Sequence, residues 1–173
     1  MRCLEIEAYL EIGPDDYDQN DVSPATEDYN CIAYALGEKS KPWWPSLWMK
    51  DDYEWPVELP REEENQETLE NFIQAFALRG YRKCTNSQLK KGIEKVVIYV
   101  GPWGNPKHAA RQLDCGVWVS KCGDYQDIRH NSPEIVESKN YGKVAVFLHR
   151  RRDGKPFFVD RMRDLLKICF QNK

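Results

Sequence analysis

The sequence predicts an α+β fold, with helices in the N-terminal part and an antiparallel sheet after them. Three observations predict it. The segment ETLENFIQAFALRG (67–80) repeats apolar residues at helical spacing. Residues 95–151 carry a series of short runs rich in β-branched and aromatic residues, each bounded by Gly, Asn, Asp or Pro. Those runs follow one another too closely for helical crossovers, so their pairing must be antiparallel.

Taken in order, residues 1–28 mix apolar and acidic residues with turn formers and predict an arm wrapped on the surface. Residues 29–36 predict a short helix, with Asp28 or Asn30 capping its first turn and Gly37 ending it in the left-handed conformation. Residues 41–60, KPWWPSLWMKDDYEWPVELP, contain four tryptophans and four prolines. Proline breaks regular pairing, so this is an irregular loop whose rings either roof the core or wall a binding cleft. In 67–80, Leu69, Phe72, Ile73, Phe76 and Ala77 form one apolar face, Thr68 can cap the start and Gly80 can end it. The strands follow at 95–101, 107–114, 116–123, near 127–130, and 142–151. A helix is expected in 156–173, around RMRDLLKICF. The layout is one domain, 1–173: an arm (1–28), a helical part with the Trp/Pro-rich loop (29–94), a sheet (95–151) and the last helix.

Apolar residues make up 41% of the 173-residue chain, enough for an ordinary core. The net charge of −3 creates no global field that favours nucleic acid or an anionic membrane. Charge is nonetheless uneven: residues 1–70 hold nineteen Asp and Glu against five Lys and Arg, and 141–173 hold nine basic residues against three acids. No secretory signal is visible, and no apolar run approaches the roughly 20 residues a membrane span requires. A soluble, cytoplasmic chain with reduced cysteines is expected, because six cysteines form no CxxC pair. No phosphate loop or dinucleotide fingerprint is present, so no cofactor is implied; the short basic run RRRDGK (150–155) reads as a solvated turn.

Chemistry centres on Cys31. A thiol at a helix N-terminus meets the positive end of the helix dipole and unpaired backbone N–H groups, which favour thiolate and can stabilise an oxyanion. Against this, free cysteines are commonly buried core residues. A nucleophilic thiol needs a base, and the chain has three histidines: His108, His130 and His149. His108 starts a strand just after the loop GPWGNPK, which holds it rigidly. His149 reads as a sheet-edge residue. If Asp114–Gly116 is a three-residue hairpin loop, Ala110 pairs with Ser120. Trp118, Ser120 and Cys122 then share the face of His108, Ala110 and Gln112. Ser120 and Gln112 could orient the imidazole, and His130 could do so if the next strand adds beside the hairpin.

The segments YNCIAYALG, HAARQLDCGVWVSKCGDYQDIRH and YGKVAVFL resemble a bacterial domain family of unknown function related to NlpC-type, papain-like cysteine peptidases. The resemblance spans roughly residues 20–150. It implies a papain-like layout in which the cysteine helix packs on an antiparallel meander, with Cys31 as nucleophile, His108 as general base and Ser120 or His130 as the third group. The start Asn30-Cys31-Ile32-Ala33 departs from the Asp-Cys-Ser-Gly pattern usual there, and Ser120 stands where a second histidine is common.

The expected function is that of a cysteine hydrolase or acyltransferase acting on a protein or peptide-like substrate, with Trp43, Trp44, Trp103 and Gln112 along the substrate cleft. The alternative is a non-catalytic module on the same scaffold that binds a protein partner, in a regulatory or toxin-neutralising role. A metal site built from His108, His130 and a cysteine is a third, weaker option.

Overall fold

The computed structural model describes residues 4–20, 23–46, 52–59, 67–155 and 157. Its centre is a strand, β3 (Ile93–Val100), in which every residue but the last is buried. A run with apolar residues on both faces suits a strand covered on both sides. Six more strands flank it: β1 (Tyr17–Asp18), β2 (Arg82–Cys84), β4 (Pro106–Gln112), β5 (Trp118–Ser120), β6 (Ile128–His130) and β7 (Lys143–Arg151). Their order is β1-β6-β5-β4-β3-β7-β2, and every pairing is antiparallel.

The described helices are short: α1 (Leu4–Leu10), α2 (Cys31–Leu36) and α3 (Leu69–Leu78). This corrects the expected α+β, papain-like layout. The described chain is organised by one seven-stranded antiparallel sheet, not by a helical N-terminal part set against a meander. The physical reason lies in partners distant in sequence. The N-terminal arm contributes α1 and an edge strand, with Tyr17 opposite His130. Residues 82–84 add a strand at the other edge, Arg82 opposite His149. The sheet is also not a simple meander, because after β6 the chain crosses back and β7 pairs with β3. The helix expected in 156–173 falls outside the described residues.

Two apolar layers sandwich the sheet. On one side α2 and α3 pack Ile32, Ala33, Phe72 and Phe76 against Val96, Ile98, Ala109 and Val119. On the other, Ile6 and Leu10 of α1 and Val136 and Tyr141 of the crossover pack against Val97, Tyr99, Ala110 and Ile128. Alternation along the strands assigns these sets to opposite faces. Trp43 and Trp55 of the Trp/Pro-rich loop are buried in the α2/α3 layer, roofing the core. Trp55 and Trp44 both meet the Phe72 ring edge-on.

The hairpin register is as the turn chemistry predicts: Ala110 faces Ser120, and the Leu113 amide donates to the Val117 carbonyl. No described helix is long and apolar enough to cross a membrane.

Candidate active site

Cys31 is the first residue of α2, and Asn30 fixes it there. The Asn30 Oδ1 accepts from the Ala33 amide at 3.0 Å and the Trp43 amide at 3.1 Å, while its Nδ2 donates to the Trp43 carbonyl at 2.8 Å. One side chain therefore caps the helix and pins the tryptophan loop to the thiol's own turn. Gly37 ends the helix at φ 85°, a conformation glycine adopts without strain.

Cys31 keeps partial solvent access. Its sulfur is nonetheless closely surrounded, and burial pushes the thiol up to about 11. The backbone amides of Ala109, Ile32 and Cys31 itself face the sulfur and act in the opposite sense, as does the charge of Lys121. At neutral pH the group is a thiol inside a ring of N–H donors.

The thiol and the imidazole approach from opposite faces of the sheet. His108 lies opposite Tyr99, on the α1 side, whereas α2 covers the other side. β5 accompanies β4 only over Ala110, Arg111 and Gln112. The β4 edge at Ala109 is therefore open where the chain leaves Ser120, and the Cys31 sulfur sits at that notch beside the Ala109 amide. Its charge is felt by groups on the α1 side. Burial, then charge on Cys122 and Cys31, pushes the Tyr141 phenol well above its ordinary range. Burial, then charge on Cys31, raises Tyr9. Burial takes the Cys122 thiol up to about 12.

His108 is fully buried. Its ring stacks on Tyr141 with centroids 3.7 Å apart and planes within 3°. Its Nε2 lies 3.0 Å from Ser120 Oγ, which lies 2.9 Å from His130 Nε2, and His130 Nδ1 lies 2.7 Å from the Ser132 carbonyl. A carbonyl only accepts, which sets the direction of the whole chain. His130 Nδ1–H donates to Ser132, His130 Nε2 accepts from the Ser120 hydroxyl, and Ser120 accepts from His108 Nε2–H. The lone pair of His108 is thereby assigned to Nδ1, a buried atom that makes no hydrogen bond. Burial, reinforced by His130 nearby, holds His108 well below the usual imidazole range, and burial takes His130 down to about 4. Both rings are neutral at pH 7.

The arrangement brings together His108, Ser120 and His130 in one hydrogen-bonded chain, and sets the Cys31 sulfur at the amide of Ala109, the next residue of β4 after His108. It does not bring the expected cleft residues to them. Gln112 points its Nε2 at the Ser87 and Gly116 carbonyls, at 2.9 and 3.2 Å, and braces two loops. Trp44 donates its Nε1 to Glu67 at 2.8 Å. Trp103 is 93% exposed in the turn between β3 and β4. Trp43 lines a separate groove of about 390 Å³ with Trp55, Val57, Leu78 and Arg79. Sequence reasoning missed Tyr141, which stacks on the base, and Lys121, whose buried ammonium donates to the Gly123 and Tyr125 carbonyls at 2.6 and 2.8 Å. The sequence signals for Tyr141 were its place at the head of the YGKVAVFL segment and the glycine that follows it. Among the described residues no group of three or more His, Cys, Asp or Glu is placed to hold a metal ion, and Cys31, Cys84, Cys115 and Cys122 carry free thiols.

Fold and site together define a sheet-centred protein with a buried His108–Ser120–His130 chain and, at the start of α2, a cysteine held against β4. The chain belongs to the family described as Domain of unknown function (DUF7689), whose model matches residues 20–149. No curated protein and no solved structure matches it.

Proposed function

We propose that the protein is a thiol hydrolase or acyltransferase acting on an amide, peptide, isopeptide or ester bond. Two observations support this: the buried, unpartnered Nδ1 of His108, oriented by a hydrogen-bonded chain, and the Cys31 sulfur held at the amide of the neighbouring Ala109. An unsatisfied buried acceptor is costly and persists where it has a task.

In the proposed reaction, Cys31 Sγ attacks the carbonyl carbon as His108 Nδ1 takes the thiol proton. The oxyanion is met by the backbone N–H groups around the sulfur. Collapse breaks the bond to the leaving group, which takes the proton from His108, and leaves a thioester on Cys31. Water or an amine then releases the acyl group. Both partners rest neutral, so the proton moves during attack and no ion pair forms in advance. The resemblance of the Asn30-Cys31 and His108–Arg111 segments to a family related to NlpC-type peptidases supports this chemistry, without the helical layout of that class or its Asp-Cys-Ser-Gly start. A protein or peptide-like substrate in the cytoplasm is part of the same proposal.

The test is acylation by an activated ester, with the modified cysteine mapped by mass spectrometry. Thioester formation at Cys31, slowed about a hundredfold or more in His108→Asn, is expected for lost general-base catalysis. Labelling confined to the accessible Cys84 and Cys115, indifferent to His108, would overturn the proposal.

A non-catalytic, partner-binding role is favoured by one observation: the groove at Trp43, with exposed Val57 and Leu78 on its rim, is not lined by Cys31 or His108. A Cys31→Ser variant that keeps full biological activity would select that role.

A further inference from the structure

We propose that Ser120 and His130 are positioning residues acting in series, which hold the proton of His108 on Nε2, so that the protonation state of His130 decides whether His108 Nδ1 can accept a proton. The proposal rests on the assignment of His108 as base to Cys31.

The chain admits one direction while His130 is neutral. Ser132 offers a carbonyl oxygen, Ser120 has a single hydrogen, and each ring has a single N–H. A proton added to His130 Nε2 reverses the link. Ser120 must then accept from His130, and its hydrogen turns to His108 Nε2. His108 releases its Nε2 proton to water and takes one at Nδ1, keeping its charge while losing the lone pair with which Nδ1 would act as base. One net proton has been bound, and it sits on the outer ring.

His130 is placed to exchange that proton. It borders an open cleft of about 210 Å³ with Asp15, Asp16, Asp18, Tyr17 and Arg129. The groups facing it are Tyr17 from β1, Trp118 and Ser120 from β5, and Ser132 and Glu134 from the crossover, with Arg129 next in its own strand. Those facing His108 are Tyr99 from β3, Ser120 from β5 and Tyr141 from the crossover. The inner ring lies behind Tyr141, while the outer ring meets the cleft. The relay thus links two buried imidazoles across a single hydroxyl, with the outer one bordering the cleft.

The experiment is nitrogen-15 NMR of the imidazoles in the full chain at pH 7, followed by titration towards acid. Wild type should show His108 protonated on Nε2 and His130 on Nδ1. Ser120→Ala should give His108 a mixture of tautomers and slow Cys31 acylation about tenfold, the equivalent of one hydrogen bond. His130→Gln, whose Oε1 accepts from Ser120 without titrating, should keep the wild-type tautomer and extend activity to lower pH. A wild-type His108 protonated on Nδ1 at pH 7 would overturn the proposal without any variant, as would a tautomer unmoved by Ser120→Ala. The expected tautomers without acylation at Cys31 would sink the hydrolase proposal and leave the relay standing. His108-dependent acylation with a tautomer independent of Ser120 would do the reverse.

Discussion

The imidazole of His108 lies flat on the phenol of Tyr141, with centroids 3.7 Å apart. The contact joins the middle of β4 to a residue two positions before β7, thirty-three positions later, and is made by the crossover that returns the chain to β3. The stack removes one face of the base from water, and the Tyr141 hydroxyl anchors the ring by donating to the Lys121 carbonyl at 3.3 Å. Tyr141→Phe should retain the stack and cost about 1 kcal/mol, one hydrogen bond's worth. Tyr141→Ala should cost about 3–5 kcal/mol through the cavity it leaves. Urea unfolding of both variants checks the difference; equal losses would show that the ring contributes nothing beyond its hydroxyl.

Gly142 places that ring. Its φ is 82°, and a β-carbon there would run into the Val100 carbonyl oxygen. Backbone cannot yield as a flexible side chain does. Gly142→Ala should destabilise by about 3 kcal/mol, combining the left-handed strain with the clash. A loss under about 0.5 kcal/mol in chemical denaturation would contradict this account of the turn.

Stability should fall with acid because two buried imidazoles must stay neutral. His108 and His130 both lie below the ordinary value in the folded chain, His130 at about 4. The unfolded chain therefore binds their protons first. Their contribution is fully present above about pH 6.5 and is lost as pH falls from there towards 4. Two protons taken up on unfolding give a slope of about 2.7 kcal/mol per pH unit in the lower part of that window. Asp127, raised by burial, acts in the opposite sense above its own ordinary value. In His130→Gln the slope should drop by about half, and an unchanged slope in denaturant titrations at several pH values would contradict the assignment.

Much of the site was legible from local chemistry. Asn30 and Gly37 bracket α2 as capping rules require, and Thr68 caps α3. The Asp114–Gly116 loop set the register that placed Ser120 across from Ala110, on the face of His108. What the sequence hid is non-local. Tyr17–Asp18 is too short and polar to read as a strand, yet β6 recruits it. The return of β7 to β3 leaves no composition signal, so neither the sheet order nor the Tyr141 stack was visible. The choice between Ser120 and His130 as third group was also posed too narrowly, because a hydroxyl can both accept and donate and the structure links the two in series. The expected helical layout failed for the same reason: helices come early in the chain, but the strands at its ends join one sheet.

The most direct test of the thiol–imidazole pair is the pH dependence of Cys31 acylation by an activated ester, in wild type and in His108→Gln. With His108 neutral well below pH 6.5 and the thiol titrating near 11, the wild-type rate should be flat from about pH 6 to 9, because the base takes the proton during attack. Without the base, only thiolate reacts, and the rate in His108→Gln should climb about tenfold per pH unit. A wild-type rate that climbs in the same way, superimposing on the variant, would show that the imidazole takes no part and would contradict the account.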